Sequence, residues 1–303
     1  MSRTTHLSAE MKRRVLITGI EGFTGQYVAA ELTRRGFEVH GTTHVASTQP
    51  GWHHVNILDA PALAAVVDDV APTHLIHLAA VAFVASSDVE AIYRVNIVGT
   101  RNLLTALAPR AAGLHAVVLA SSASVYGNTL DSPIAENTPP RPSNDYAISK
   151  LAMEYLAAAW AEYVPTTIVR PFNYTGIGQA AEFLIPKIVA AFRRRDPAIE
   201  LGNLDVAREF SDVRDVAADY ADLVDAGIAD TVNLCSGTAY SIREVLAMAT
   251  AITGHVVDVR TNPTFVRAGD ILHLTGNNAK LRGLAPKTWR RPFEETLRWM
   301  LET

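Results

Sequence analysis

Between Arg14 and Pro171 the sequence alternates short, continuous apolar runs with longer helical ones: "RVLIT", "TGQYVAAELTRRG", "FEVHGTT", "APALAAVVDDV", "THLIHLA", "DVEAIYRVNIVGTRNLLTALA", "HAVVLAS", the stretch around "YAISK", and "TTIVRP". A strand that is apolar along its whole length has both faces covered. Helical runs of ten or more residues between such strands supply the crossovers that parallel pairing needs. The pattern predicts an α/β fold built on a doubly wound parallel sheet. With 49% hydrophobic residues in a chain of 303, there is material for a large core.

After Pro171 the alternation loosens into glycine-containing and charged segments, "NYTGIGQ", "DPAIELGNLDVAREFSDV" and "NPTFVRAGDILHL", between two further helical runs. This predicts residues 12–170 as a nucleotide-binding domain, with 209–235 contributing to it. Residues 171–208 and 236–303 then form a smaller lobe over the carboxyl ends of the strands, and 1–11 a flexible tail.

Charge and cysteine content narrow the function classes. The net charge is −4, and the basic residues are scattered apart from Arg193, Arg194 and Arg195, so no footprint for nucleic acid is present. The opening "MSRTTHLSAEMKRR" lacks the apolar core of a signal peptide, and no run of 18 apolar residues occurs. A cytoplasmic protein without membrane contact is expected. Cys235 stands alone, which excludes an internal disulfide, and no bound metal is expected.

The first predicted strand runs directly into "GIEGFTGQYVAAEL", so Gly19, Gly22 and Gly25, with Phe23 and Thr24 between them, lie at a strand-to-helix turn. There the backbone can approach a pyrophosphate, whose charge meets the amides and positive end of the helix, the dinucleotide cradle of a Rossmann sheet. Glu21 sits awkwardly in such a loop; it must turn from the anion or contact a substrate hydroxyl. At the end of the second strand an acidic residue would favour NAD. Gly41, Thr42, Thr43 and His44 stand there instead, which slightly favours NADP(H) and leaves NAD(H) open.

Tyr146 is the only tyrosine with a lysine four positions on, in a chain that carries 22 arginines and five lysines. On a helix these two residues share a face with Cβ atoms about 5 to 6 Å apart. A neighbouring ammonium favours the phenolate and draws the phenol pKa down from about 10, as acid/base catalysis requires.

The glycines, "HLAA" (77–80), "VN" (95–96), "ASSASVYG" and "YAISK" together resemble the extended short-chain dehydrogenase/reductase family, from Met11 onward. The resemblance implies Ser122, Tyr146 and Lys150 as a catalytic triad. It implies Thr43, His44, Asn56, Ile57, Leu78, Ala79, Ala80, Asn96 and Pro171 as further cofactor contacts, and a homodimer joined by the helix from Asp88 and the "YAISK" helix. "RPFNYTGIGQ", "LGNLDVAREFSDVRDV" and "VNLCSGTAYSIREVL" are similar to the branch of that family that reduces GDP-4-keto-6-deoxy-mannose. That likeness implies a nucleotide-diphosphate sugar substrate, a GDP-sugar, held by Asn173, Lys187, Arg208 and Arg267. Tyr174 and Ile177 replace a histidine and a proline often seen in that branch, so the product's C4 configuration stays open. The expected reaction is reduction of a 4-keto-6-deoxy sugar to GDP-D-rhamnose or its C4 epimer. A 4-epimerase that retains NAD is the alternative, and a non-catalytic dinucleotide-binding module comes third. A dehydratase would place a carboxylate beside the triad hydroxyl, where this chain has Ala123 and Ser124.

Overall fold

The computed structural model describes residues 13–82, 88–130, 132–265, 272–284 and 290–303. Seven parallel strands form the central sheet. Six come first: β1 (Arg14–Thr18), β2 (Glu38–Thr43), β3 (Trp52–His54), β4 (His74–His77), β5 (Ala116–Ala120) and β6 (Thr167–Pro171). Beyond β6 lie the short strands β7 (Tyr174–Thr175), β8 (Ala198–Leu201), β9 (Ala207–Glu209) and β10 (Ser211–Asp212), then the seventh sheet strand, β11 (Thr231–Leu234), and finally β12 (Ala239–Ser241), β13 (Asp258–Thr261) and β14 (His273–Leu274).

The sheet order is β11-β6-β5-β4-β1-β2-β3, with Ile17 opposite Gly41 on one side and Ile76 on the other. The chain therefore runs outward from β1 through β2 and β3, returns to β1's other edge at β4, and continues away. The reversal opens a crevice at the carboxyl ends of β1 and β4, where doubly wound folds bind ligands.

Both faces are covered, as the continuous apolar runs require. Val15 and Ile17 pack with α1 (Phe23–Arg34) and α7 (Val213–Ala226), through Val28, Leu32, Tyr220 and Leu223. Leu16 faces the opposite cluster with α2 (Ala60–Val70), α4 (Thr100–Leu107) and α5 (Asp145–Ala159), through Leu63, Leu103 and Met153. Each such fully buried side chain contributes about 1.5–3 kcal/mol. The helix entering α4 starts as α3 (Val89–Tyr93) and passes through a π-helical turn, Arg94–Gly99, that turns Asn96 into the core.

The remaining elements build a second apolar cluster from α6 (Leu184–Arg194), α8 (Ile242–Thr253) and α10 (Phe293–Glu302), packed on β8. The short helix α9 (Ala279–Leu284) returns to the sheet, where Lys280 Nζ donates to the Thr231 carbonyl at 2.7 Å. Buried Glu209 pins this lobe to the sheet end: its carboxylate accepts N–H bonds from Ser236 at 2.7 Å, from Gly237 at 3.0 Å and from Gly276. Among the described residues no helix is long and apolar enough to cross a membrane.

Candidate active site

The glycine turn is set by close backbone approach. Gly19 adopts φ +70°, and a Cβ there would meet the Ala79 backbone at 2.9 Å; one on Gly25 would lie 2.5 Å from the Gly19 carbonyl oxygen. Gly22 caps α1 without any side-chain hydrogen bond, and the helix's first turn carries no acidic residue. The first-turn amides are thus left for an anion, which fits a dinucleotide pyrophosphate. Thr18, at the end of β1, accepts the Ala79 N–H at 3.2 Å and meets His77 Nδ1 at 2.6 Å, while His77 Nε2 lies 2.8 Å from the Thr100 hydroxyl. Burial drives His77 down to about 3, so it is a neutral strut between β1, β4 and α4.

Past β5 the two serines separate. Ser121 turns back into the core and donates to Glu154. Ser122 has extended backbone, and its hydroxyl lies 3.0 Å from Ser124 Oγ. Tyr146 and Lys150 lie on α5, whose start is capped by Asn144 accepting from the Ala147 N–H at 2.9 Å. Lys150 is 3% exposed and donates to the Ala120 carbonyl at 2.8 Å. Burial lowers it to about 8, with Glu154 opposing. Tyr146 moves contrary to the sequence expectation: burial pushes it up to about 12, against the nearby Ser122 hydroxyl, which lowers it. The phenol is therefore a protonated donor at neutral pH. Lys150 gives one ammonium proton to the Ala120 carbonyl, and at Tyr146 burial is the larger effect.

The resemblance runs along most of the chain: residues 15–235 match the model of the NAD dependent epimerase/dehydratase family. The chain belongs to that family. It is an NAD(P)-dependent enzyme of the extended short-chain type. The GDP-6-deoxy-D-talose 4-dehydrogenase of Aggregatibacter actinomycetemcomitans is 34% identical over 281 residues, covering 91% of this chain and 92% of the relative. The GDP-6-deoxy-D-mannose reductase of Pseudomonas aeruginosa is 32% identical over 285 residues, covering 89% and 90%. Among solved structures, a Burkholderia cenocepacia protein provisionally called an epimerase is 46% identical, with a TM-score of 0.90 over 96% of this chain and 97% of that one. RMD from P. aeruginosa, solved with NADPH, is 29% identical with a TM-score of 0.84 over 96% and 98%.

Not every residue proposed from the sequence faces the crevice with a free side chain in this family member. Asn96, 1% exposed, spends its whole amide inside the protein: Oδ1 takes the Val81 N–H at 2.9 Å, and Nδ2 donates to the Val81 carbonyl at 3.2 Å and to Ser149 Oγ at 2.9 Å. These bonds hold the loop after β4 against the helix that carries Ser149. Asn56 Oδ1 accepts the Leu58 N–H at 3.0 Å, and Ile57 is buried against Gly99. The Thr24 hydroxyl lies 2.7 Å from the Tyr174 phenol, whose ring is stacked on Phe23 with centroids 6.1 Å apart. Tyr174 thereby ties the segment after β6 to the first turn of α1, a role its position in "FNYTGIG" did not reveal. Leu78 and Ala80 follow β4, and Pro171 closes β6.

Of the substrate candidates, Asn173 is exposed just beyond β6. Lys187, on α6, donates to the Glu200 carbonyl at 2.8 Å and lies 4.4 Å from the Phe265 ring centre; Arg208, on β9, donates to the Ala207 carbonyl at 2.9 Å. Arg267 lies outside the described residues. In the sequence the end of β2, Gly41 to His44, carries no carboxylate. The fold places one there, Glu21, whose Oε1 accepts the His44 N–H at 3.2 Å.

Proposed function

We propose that this enzyme reduces the C4 ketone of GDP-4-keto-6-deoxy-mannose to the C4 alcohol. The observation that carries the reading is that Ser122, where β5 ends, faces the Tyr146 phenol closely enough to lower its pKa, with buried Lys150 donating to the Ala120 carbonyl beside them. The names of the two curated relatives supply the substrate class. 6-Deoxy-talose and 6-deoxy-mannose differ only at C4, so both derive from one and the same 4-ketone.

A reduced dinucleotide with its pyrophosphate held by the glycine turn at Gly19, Gly22 and Gly25 would supply the hydride. Ser122 donates to the ketone oxygen and fixes its orientation. Tyr146, protonated at neutral pH, delivers the proton that oxygen takes as carbon receives hydride. Lys150 holds the end of β5 through Ala120 and is charged below about pH 8. Asn173, Lys187 and Arg208 are assigned to the nucleotide diphosphate. Lys187 keeps two ammonium protons beyond the one given to Glu200.

The test follows coenzyme absorbance after the protein is added to the ketone, generated in place, with NADH and NADPH in parallel. Coenzyme oxidation in step with ketone loss is expected, and nuclear magnetic resonance of the product then assigns C4. The Burkholderia neighbour's provisional name favours a second reading, a C4 epimerase with retained NAD. Flat absorbance with both coenzymes, together with interconversion of two C4 epimers, would establish that second reading in place of the first.

A further inference from the structure

Strand β2 brings no acidic side chain to its carboxyl end, and its hydroxyls are not available to a ligand. Thr42 is 4% and Thr43 2% exposed, and the Thr43 hydroxyl is held by the Val45 carbonyl at 3.1 Å. The glycine turn supplies what the strand lacks. The N–H groups of Gly19 and Ile20 both donate to the Thr42 carbonyl, at 3.0 and 3.2 Å, which binds the loop to the strand end. From there Glu21 reaches across β2. Its Oε1 takes the His44 N–H at 3.2 Å and the ring Nδ1 at 2.7 Å. Its Oε2 is buried without a hydrogen-bond partner.

In this fold the end of β2 is where the adenosine ribose lies and where an acidic group accepts from its 2′-hydroxyl. An imidazole can donate to Glu21 without carrying charge, and no lysine or arginine among the described residues pairs with the carboxylate. A carboxylate with an unused acceptor oxygen gains from a hydroxyl donor within a small side-chain rotation. A 2′-phosphate at the same place would meet like charge with no lysine or arginine among the described residues paired there to offset it.

We propose that Glu21, positioned by His44, is the residue by which this enzyme selects NAD(H) over NADP(H). The carboxylate comes from the phosphate-binding loop rather than from β2, and this reverses the slight preference for NADP(H) drawn from the strand alone. The proposal rests on the reading of the glycine turn as a dinucleotide cradle.

The test is equilibrium binding of NADH and NADPH, followed by their own fluorescence, to the wild type and to Glu21→Gln, which keeps an acceptor for the His44 N–H. The wild type is expected to bind NADH tighter by about tenfold or more. In E21Q that ratio should shrink toward one, through tighter NADPH binding, at an unchanged unfolding temperature. A wild type that binds NADPH equally well or better overturns the proposal without needing the variant. So does an E21Q protein with the wild-type ratio. Binding of neither coenzyme overturns it together with the dinucleotide cradle, whereas binding without turnover of the ketone leaves it standing and removes only the proposed substrate.

Discussion

The guanidinium of Arg170 grips the Glu154 carboxylate at two points, Nε to Oε1 at 2.9 Å and Nη2 to Oε2 at 2.6 Å, in a site where both side chains are under a tenth exposed. Arg170 also donates to the Tyr126 phenol oxygen at 2.9 Å, and Tyr126 in turn donates to Asn233 at 2.6 Å. The pair thus ties β6 to α5, to the segment after β5 and to β11, directly behind Ser121.

Removing one partner leaves an uncompensated buried charge. Glu154→Gln should cost about 3–5 kcal/mol in denaturant unfolding, and Glu154→Met combined with Arg170→Met should recover a large part of that loss. Additive losses in the double variant would show that the two residues act independently.

Tyr146→Phe removes the proton donor and little else. Turnover of the ketone should fall about 10²- to 10⁴-fold while coenzyme binding stays within a few-fold of wild type. Full activity in the variant would remove Tyr146 from the chemistry.

Gly25→Ala would place a methyl 2.5 Å from the Gly19 carbonyl oxygen. We expect a stability loss of about 1–3 kcal/mol together with weakened coenzyme binding. Gly113→Ala, where a Cβ would meet nothing within 4 Å, is the matched control and should bind coenzyme normally.

Lys150 gives a pH signature whose sign follows from its environment. Burial lowers its pKa from 10.5 to about 8, so between those values the unfolded chain binds more protons than the folded one and stability rises with pH. The penalty for the buried ammonium is fully present below about pH 8 and on the order of a few kcal/mol. Wild type should therefore gain stability relative to Lys150→Met as pH climbs from 8 to 10.5, whatever their offset at pH 7. Parallel unfolding curves across that window would show that the ammonium carries no burial penalty.

The helices expected to pair two copies carry exposed apolar side chains: Val98 45% exposed in the π-helical turn, Ile148 41% and Tyr155 68% on α5. Such faces favour burial against a partner. A dimeric mass by light scattering is expected, shifting to monomer in Tyr155→Glu with the fold retained by circular dichroism. A monomeric wild type at micromolar concentration would count against this pairing.

Much of this was legible because the signal was local. Continuous apolar runs showed strands covered on both faces, and Val15, Leu16 and Ile17 are each fully buried against alternate faces. Glycines that only backbone crowding explains marked the cradle, and the four-residue spacing of Tyr146 and Lys150 put both on one helix. What sequence could not show depends on elements meeting across space. Glu21 is 23 positions from His44, and its pairing there depends on the loop being tied to Thr42. No spacing shows that the π-helical turn points the Asn96 amide at Val81 and Ser149. The direction of the Tyr146 shift depends on how deeply α5 packs, and no spacing reports that.

Glu209 joins its own strand to two separate stretches of chain, at Ser236–Gly237 and at Gly276, through one carboxylate. The chain also passes between sheet and lobe at Phe172, whose N–H donates to the Leu234 carbonyl at 2.9 Å. The lobe is consequently not a cassette. A chimera that borrows a relative's sugar-recognition segment must bring residues from both sides of β11 at once, because any single exchange would strand a buried carboxylate with donors from the wrong parent.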